Sequence, residues 1–404
     1  MPFPVLVTYI INLIRKSLQF EISSFASFIG LPDVSKQAFS QARKKLSPEV
    51  FVSLNRSLVT EFYSDNEIKT FKGLRVLAVD GSTIRLPKTN ELYEHFGTNQ
   101  KGNVPLANTS VLYDVLNHIT LNATLVSYRE TSEKTMAMEH FEELFDLDRK
   151  VTGNQHSDLL VFDRGYLSHF LMFFLREKNK NFLFRATATI TEIVNVIKSG
   201  NKDAIIDIVL TKEKLRFRPD FKKYAVNLEN NSIKVRVATY ELSSGETEIL
   251  VTSLIDQNEF TYDDLFNLYA KRWNIEENYK LYKCIAEIEN FSGESKLAIE
   301  QDFYATVFTC NAGSLLSQEA QDEVNLESAE KDIKYTYKIN RNILIGTIKN
   351  EILEIFLGDQ DIAQSCEQLK KRLKRSLVAV RPGRSFDRPT FRWRNRSIID
   401  KKCL

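Results

Sequence analysis

Four polar residues in the segment YAKRWNIEENYKLYK, residues 269–283, have a spacing that places them on one side of a helix. At about 100° per residue, Tyr269, Arg272, Glu276 and Lys283 share a stripe roughly 60° wide. The stripe sets one carboxylate among two cations and a phenol, which suits a phosphate backbone beside a metal ligand. Pairs such as Arg272 with Glu276 are also common helix stabilisers, so the spacing alone leaves both interpretations open.

Two aspartates follow apolar runs that are typical of buried strands. Asp80, in LRVLAVDGSTIRLP, is predicted to lie near the carboxyl end of a strand, and Asp163 follows LLVF. With Glu276 they offer carboxylate oxygens for two Mg²⁺ or Mn²⁺ ions about 4 Å apart, an arrangement that catalyses phosphodiester displacement. Each has a simpler interpretation, since an Asp before a turn is often a cap and a helical Glu is often solvated. Asp114, in LYDVL, is a rival carboxylate.

The elements that must position these carboxylates follow from the pattern of residues 71–187. It predicts a strand at LRVLAVDGSTIRLP and two more in NTSVLYDVLNHITLNATLVSY that break near Asn117–His118, then a helix at SEKTMAMEHFEELF. A strand ending at Asp163, an apolar helix and a strand at NFLFRATA come next. This is the order of a ribonuclease-H-like α/β sheet, in which the first and fourth strands are neighbours. We therefore expect Asp80 and Asp163 to lie close together.

The flanking segments complete a predicted division into five parts. These are a helical N-terminal DNA-binding region (1–70), the first part of the catalytic core (71–187), an inserted antiparallel β subdomain (188–258), the last part of the core (259–295), and a helical C-terminal region with a basic tail (296–404). Ser35 is a candidate helix cap, and a second helix restarts at Ser47-Pro48. The two helices fit either a helix-turn-helix DNA reader or a plain helical bundle.

The charge distribution indicates a polyanionic partner. The net charge of the 404 residues is +2, but residues 369–402 carry 13 Lys or Arg against two Asp, a local +11. The remainder is therefore 42 minus 51, or −9. Arg392 and Arg394 alternate in the tail with aromatic residues, which suits phosphate contacts and base stacking. The composition predicts a nucleic-acid ligand, although a basic tail can also be a solvated end.

Several other classes are disfavoured. The four cysteines form no C-x-x-C pair, which argues against a structural zinc site and a disulfide framework. The N-terminal run VLVTYIINLI is too short to cross a bilayer and lacks preceding basic residues, so we expect a cytoplasmic protein without membrane contact. No phosphate-binding G-x-x-x-x-G-K-[ST] loop is present. A metal-independent two-carboxylate glycosidase is a remote alternative that metal dependence would separate.

The motifs AVDGSTIRLP, VFDRGYLSH and YAKRWNIEENYKLYK resemble the three motif regions of DDE transposases of bacterial insertion sequences, specifically the insertion sequence 4 family. That family is marked by Y-x2-R-x3-E-x6-K, which Tyr269, Arg272, Glu276 and Lys283 match position for position. The resemblance also covers NTSVLYDVLN, SKQAFSQARKKLS, the β insertion and the arginine-rich end. It therefore spans nearly the whole chain.

The resemblance implies that Asp80, Asp163 and Glu276 are a catalytic triad that binds two divalent metal ions, Mg²⁺ or Mn²⁺. The implied reaction is hydrolytic nicking at the terminal inverted repeats of an insertion sequence, followed by attack of the freed 3′-hydroxyl on target DNA. It also implies a dimer in the synaptic complex and a place in the bacterial nucleoid. The predicted contacts to double-stranded DNA are Tyr269, Arg272 and Lys283 near the cleaved end, and Arg43, Lys44, Arg392 and Arg394 elsewhere.

One feature departs from the family pattern. Some relatives cut the second strand through a DNA hairpin and use a Trp in the β insertion to hold a flipped base, but the tryptophans here are Trp273 and Trp393. We expect Trp273 to pack its helix. Phe217, Phe221 or Tyr224 are candidates for stacking in its place. A transposase-derived nuclease without strand transfer and a non-catalytic DNA-binding protein remain as alternatives, and the complete triad argues against the second.

Overall fold

A computed structural model describes residues 1–12, 17–65, 67–100, 102–129, 132–151, 156–210, 232–330, 335–358 and 361–380. The helices are α1 (Phe3–Ile11), α2 (Leu18–Phe28), α3 (Lys36–Arg43), α4 (Glu49–Asp65), α5 (Asn90–Phe96), α6 (Glu133–Lys150), α7 (His169–Glu177), α8 (Thr191–Lys198), α9 (Tyr262–Ala270), α10 (Trp273–Lys280), α11 (Lys296–Glu330), α12 (Arg341–Leu357) and α13 (Ile362–Lys374). The strands are β1 (Leu74–Arg85), β2 (Leu106–Asp114), β3 (Ile119–Ser127), β4 (Ser157–Phe162), β5 (Asn181–Ala186), β6 (Asp203–Val209), β7 (Ser232–Glu241), β8 (Thr247–Thr252), β9 (Thr336–Ile339) and β10 (Leu377–Val380).

Strands β1 to β8 form one mixed sheet in the order β3-β2-β1-β4-β5-β8-β7-β6. β1 is antiparallel to β2 and parallel to β4, with Leu74 opposite Ser157 and Val79 opposite Phe162. The predicted neighbourhood of the first and fourth strands is therefore confirmed. Because the two strands are parallel and in register, Asp80 and Asp163, each one residue beyond the last paired position, emerge at the same edge of the sheet.

Helices cover both faces of this sheet, and the alternation of side chains along β1 shows how. Leu77 and Val79 pack with α4, α6, α7 and α8, whereas Val76 and Ala78 pack with α5, α9, α10 and α11. Side chains in a strand point alternately to the two faces, so a strand that is buried on both sides needs an unbroken apolar run. VLAV in β1 and LLVF in β4 meet this requirement, and Asp80 and Asp163 directly follow these two runs.

The strands predicted as an antiparallel insertion extend the same sheet. β8 pairs with β5, β7 with β8, and β6 with β7, all antiparallel. The predicted turn at Ser244-Gly245 joins β7 to β8, with Gly245 at a φ of 82°. The helix α8 lies in this region and was not predicted from the pattern. Phe217, Phe221 and Tyr224, the candidate stacking residues, lie outside the described residues.

The N-terminal and C-terminal helices share a third apolar core. Leu6, Ile10 and Phe39 pack in the same cluster as Phe308 and Ile348, so helices from the two ends of the chain meet. Helix α11 is 35 residues long and also packs against α4 and β3. Among the described residues no helix is long and apolar enough to cross a membrane.

Arg43, one of the predicted DNA contacts, belongs to this helical core. Ser35 caps α3 as expected, accepting a hydrogen bond from the amide of Ala38. Arg43, the last residue of α3, is only 5% exposed, and its guanidinium donates to Gln301 and pairs with Asp302 of α11. Its donors are occupied by protein acceptors in this structure, which favours a structural role for Arg43 over the predicted DNA contact. Lys44, the next residue, is exposed.

The described part of the basic C-terminal segment is largely paired with acidic helices. Lys370 forms ion pairs with Glu319 and Glu367, and Lys374 does so with Glu323 and Glu327. Arg372 also pairs with a carboxylate, that of Glu351. These three cations of α13 therefore offset the negative charge of glutamates on α11 and α12. Arg392 and Arg394 lie outside the described residues.

Candidate active site

Asp80 and Asp163 lie just past the last residues that pair β1 with β4, and β1 itself continues alongside β2 to Arg85. Asp80 lies within β1 after the apolar run, and its Oδ1 accepts a hydrogen bond from the amide of Gly81 at 2.9 Å. Asp163 follows β4 directly and precedes a 3₁₀ turn, Arg164–Tyr166. The Tyr269 hydroxyl donates to Oδ1 of Asp163 at 3.3 Å. The helical segment that carries the predicted stripe is therefore in contact with the second aspartate.

The segment 269–283 is not the single regular helix that the stripe assumed. α9 begins with a capping box at Thr261 and Asp264 and ends at Ala270, α10 starts at Trp273, and a π-helical turn follows at Leu281–Ile285. Each break rotates the residues that follow it, so the angles expected for a continuous helix do not apply. The stripe residues nevertheless reach the ends of β1 and β4, as their contacts below describe.

Arg272 joins two of the three carboxylates. Its Nη2 donates to Oε1 of Glu276 at 2.9 Å, and its Nη1 lies 3.8 Å from Oδ2 of Asp80. The arginine side chain is 7% exposed, compared with 23% for Asp80 and 32% for Glu276. Among the described residues no acceptor meets the buried Nε–H of Arg272. A nearly buried guanidinium thus faces two carboxylates and keeps one donor for another acceptor.

The electrostatics of the site reflect crowding of negative charge at a partly dry surface. Burial raises the pKa of Asp80 to about 6, and the charges of Glu133 and Glu276 add to the rise. Arg272 and the Gly81 amide oppose it. Burial also raises the pKa of the Tyr269 hydroxyl, which therefore stays protonated and able to donate to Asp163. The arrangement favours an added cation, which would stabilise the ionised form of Asp80.

Two further residues tie the helical segment to β1. The Lys283 ammonium donates to Oγ of Ser82 and to the main-chain oxygen of Thr83, each at 2.7 Å. Tyr279, one turn after Glu276, is buried and donates its hydroxyl to the main-chain oxygen of Asp80 at 2.9 Å. These contacts fix the position of Glu276 relative to Asp80, and burial lowers the pKa of Lys283.

The family model described as the Transposase DDE domain matches residues 71–311, a span that includes all three motif regions. The chain belongs to the DDE transposase family. Transposase InsG for insertion sequence element IS4, from Escherichia coli (strain K12), is 24% identical over 290 residues, which are 69% of this chain and 60% of InsG. The resemblance to insertion sequence 4 transposases is therefore confirmed, and the match spans 60% of the length of that relative.

Solved structures also align with the chain. Among them is a cryo-EM structure of the piggyBac transposase synaptic complex with hairpin DNA, with a TM-score of 0.44 and 12% sequence identity. The alignment covers 95% of this chain and 77% of the other.

The carboxylates of the DDE domain have the donor chemistry of a Mg²⁺ or Mn²⁺ site, since both ions prefer carboxylate oxygen. In the present arrangement no three His, Cys, Asp or Glu side chains in the described part of the chain are close enough to share a metal ion. The Arg272 guanidinium contacts both Asp80 and Glu276 and neutralises them instead. The residue types therefore fit the metal, although these side chains do not form a cluster around one position in this structure.

Asp114, the rival carboxylate, has a structural role. It is fully buried, and its oxygens accept hydrogen bonds from the Tyr63 hydroxyl, from the amides of Leu116 and Asn117, and from the Asn117 side chain. Four donors leave this carboxylate no free position for a metal ion. Asp114 therefore closes the turn between β2 and β3.

Trp273 corrects another expectation. It is 52% exposed and does not pack its helix, although the Arg272 guanidinium lies 6.0 Å from its ring centre.

Three residues near the site were not predicted at all: Glu133 on α6, and the ion pair of Arg185 with Glu248, whose charges act on Tyr269. Gly81, inside a strand, was the available signal for Glu133, because such a glycine often marks close approach by another group. The sequence gives no comparable signal for Arg185.

Proposed function

We propose that this chain is a DNA transposase that binds the terminal inverted repeats of an insertion sequence, cleaves DNA there in a metal-dependent reaction, and joins the 3′-hydroxyl end to target DNA. The observation that carries the proposal is that one helical segment contacts all three carboxylates: Tyr269 donates to Asp163, and Arg272 pairs with Glu276 and lies 3.8 Å from Asp80. Asp80 lies on β1, Asp163 directly follows the adjacent parallel strand β4, and Glu276 lies on α10.

The proposed core is a ribonuclease-H-like sheet formed by β1 to β5. Its support is the strand order β3-β2-β1-β4-β5, in which β1 to β3 are antiparallel and β4 and β5 are parallel to β1. Residues 71–187 and 259–295 would form this core, and residues 188–258 would be an insertion that lengthens the sheet. Residues 1–70 and 296–404 would be the flanking helical regions, the latter with the basic tail.

Asp80, Asp163 and Glu276 are the residues that would hold two divalent metal ions, Mg²⁺ or Mn²⁺. Bound there, such a pair supplies activation of a water or 3′-hydroxyl nucleophile and stabilisation of the leaving oxygen. The chain contributes the positions of the ligands. Tyr269 orients Asp163 through its hydroxyl, and Tyr279 holds the main chain of Asp80. Preorganisation of this kind is the main contribution a protein makes to phosphoryl transfer.

Arg272 is placed to bind the DNA backbone beside the carboxylates. Its unpaired Nε–H can donate to a phosphate oxygen, and guanidinium groups suit phosphate because their donors are planar and fixed. A phosphate at this position would compete with Glu276 and Asp80 for the same cation. DNA binding would thereby release the two carboxylates for metal. Tyr269 and Lys283 lie on either side of Arg272 in the segment and are proposed DNA contacts as well.

More distant contacts would come from positive charge outside the site. Lys44 is exposed at the end of α3 and is proposed to bind DNA, as are Arg392 and Arg394 of the tail. Pairing of two element ends calls for two copies of the chain, so we propose a dimer in the synaptic complex.

The test uses purified full-length protein and two labelled duplexes, one carrying an intact element end and one a pre-cleaved end with a free 3′-hydroxyl. Each is incubated with Mg²⁺, Mn²⁺ or EDTA, with and without a target plasmid, and Asp80→Asn is the inactive control. The proposal predicts nicking at the element boundary and joining of the pre-cleaved end to the plasmid, both only with metal.

The products separate the alternatives. Nicking without joining would identify a nuclease. Binding without nicking in any metal would identify a non-catalytic DNA-binding protein. Cleavage in EDTA, or by Asp80→Asn at the wild-type rate, would contradict the proposed site.

A further inference from the structure

Two glycines beside the aspartates mark the close approach of one further acidic side chain. A Cβ atom at Gly81 would lie 3.1 Å from Cγ and 3.2 Å from Oε1 of Glu133, and one at Gly165 would lie 3.9 Å from Oε2 of Glu133. Neither glycine has the left-handed φ that favours glycine. A glycine that does not need a positive φ destabilises a strand, so its presence often means that another group occupies the space of the missing side chain. Glu133 is the group that occupies the space at Gly81.

Glu133 lies close to both aspartates in the fold. Gly81 directly follows Asp80 and Gly165 lies two positions after Asp163, so the Glu133 side chain is beside both motif segments. Glu133 is exposed at the start of α6.

We propose that Glu133 is a fourth carboxylate of the metal site, which binds the divalent cation, directly or through its water, on the side of Asp80 and Asp163 opposite Glu276. The inference rests on the proposed function. Its geometric basis is that Glu133 lies against Gly81 and Gly165, the residues one and two positions after the two aspartates. The glycines leave room for a carboxylate that α6 delivers from the other face of the sheet.

A simpler role must be separated from this one. Glu133 is the acid in the first turn of α6, where a negative charge stabilises the helix. Glu133→Asp retains that charge but withdraws the carboxylate by one methylene, so it preserves the helix effect and disturbs metal binding. Glu192 is the matched control, because it is the first-turn acid of α8, which packs against β6 and β7.

The experiment measures Mn²⁺ binding to the full chain by the loss of the electron paramagnetic resonance signal of free Mn²⁺, a readout independent of catalysis. The comparison includes five proteins: wild type, Glu133→Gln, Glu133→Asp, Glu192→Gln and Glu276→Gln. Circular dichroism and thermal melting without metal confirm that each is folded. We expect Glu133→Gln to bind Mn²⁺ about 10- to 100-fold more weakly than wild type. Glu133→Asp should also bind more weakly, and Glu192→Gln should match wild type.

Each other result contradicts a different part of the account. If Glu133→Gln and Glu133→Asp bind Mn²⁺ as wild type does while Glu276→Gln is weakened, the inference falls and the proposed function stands. If Glu133→Gln is weak but Glu133→Asp equals wild type, the effect is that of the helix charge and the inference is again overturned. If wild type does not bind Mn²⁺, the proposed metal-dependent function fails, and the inference fails with it.

Discussion

Replacement of Arg43 by Ala distinguishes the observed structural role from the DNA contact that the sequence predicts. The Arg43 guanidinium donates to Gln301, Ser292, the main-chain oxygen of Ala298 and Asp302, and its side chain is 6% exposed. Its removal leaves the Asp302 carboxylate, 14% exposed, without its cation. Breaking a buried ion pair from one side costs about 3–5 kcal/mol. We expect Arg43→Ala to lower the free energy of unfolding by that amount.

Urea denaturation followed by circular dichroism measures this change, and Lys44→Ala is the matched control. Lys44 is exposed, so its loss should change the free energy of unfolding by less than about 0.5 kcal/mol while weakening duplex binding in low salt. The structural account of Arg43 would be refuted if Arg43→Ala unfolded within about 1 kcal/mol of wild type and lost DNA affinity as Lys44→Ala does.

Three further predictions concern Asp114, His140 and Gly81. Asp114→Ala should lower the free energy of unfolding by about 3 kcal/mol, because it leaves buried hydrogen-bond donors without an acceptor. It should leave Mn²⁺ affinity unchanged, and a loss of that affinity in the folded variant would indicate that Asp114 is a metal ligand. Burial lowers the pKa of His140 to about 3, so the unfolded chain binds the extra proton first as pH falls below about 6.5. The unfolding free energy of wild type should therefore fall by about 1.4 kcal/mol per pH unit more than that of His140→Gln between pH 6 and 4, and equal slopes would contradict the neutral buried His140. Gly81→Ala should weaken Mn²⁺ binding when it is made in wild type, because the added methyl group displaces the Glu133 side chain. Made in Glu133→Ala, which lacks that side chain, it should have no effect. An equal loss of affinity in both backgrounds would show that the effect of Gly81→Ala does not depend on Glu133.

Local pattern was enough to predict the first five strands of the sheet and its two aspartates, but not that the strands of residues 188–258 extend the same sheet. VLAV and LLVF are runs that suit a strand covered on both faces, and each ends next to an Asp, so the order of elements predicted that Asp80 and Asp163 are neighbours. The register of β1 with β4 confirms the strand pairing. Spacing also predicted that Tyr269, Arg272 and Glu276 lie on the same side of their segment. In the structure Tyr269 contacts Asp163 and Arg272 contacts Glu276, although the helix is broken between Ala270 and Trp273.

What could not be predicted depends on partners that are distant in the chain. Arg43 is buried because Gln301 and Asp302, 258 and 259 residues away, meet it in the helical core, and a basic residue at a helix end gives no sign of that. Glu133 meets Gly81 only because α6 crosses the end of β1. The π-helical turn at Leu281–Ile285 was not predicted either.

The most direct test of the proposed site compares two adjacent glutamates of α10. Glu276 accepts from Arg272 at the edge of the sheet, whereas Glu277 is 48% exposed and pairs with Lys280. Single-turnover nicking of an element-end duplex in Mg²⁺ is measured for wild type, Glu276→Gln and Glu277→Gln, after duplex binding by each is confirmed. We predict that Glu276→Gln binds the duplex but nicks it at least about 10²-fold more slowly, while Glu277→Gln nicks at the wild-type rate. Equal rates for wild type and Glu276→Gln would contradict the assignment of Glu276 as the third carboxylate of the site.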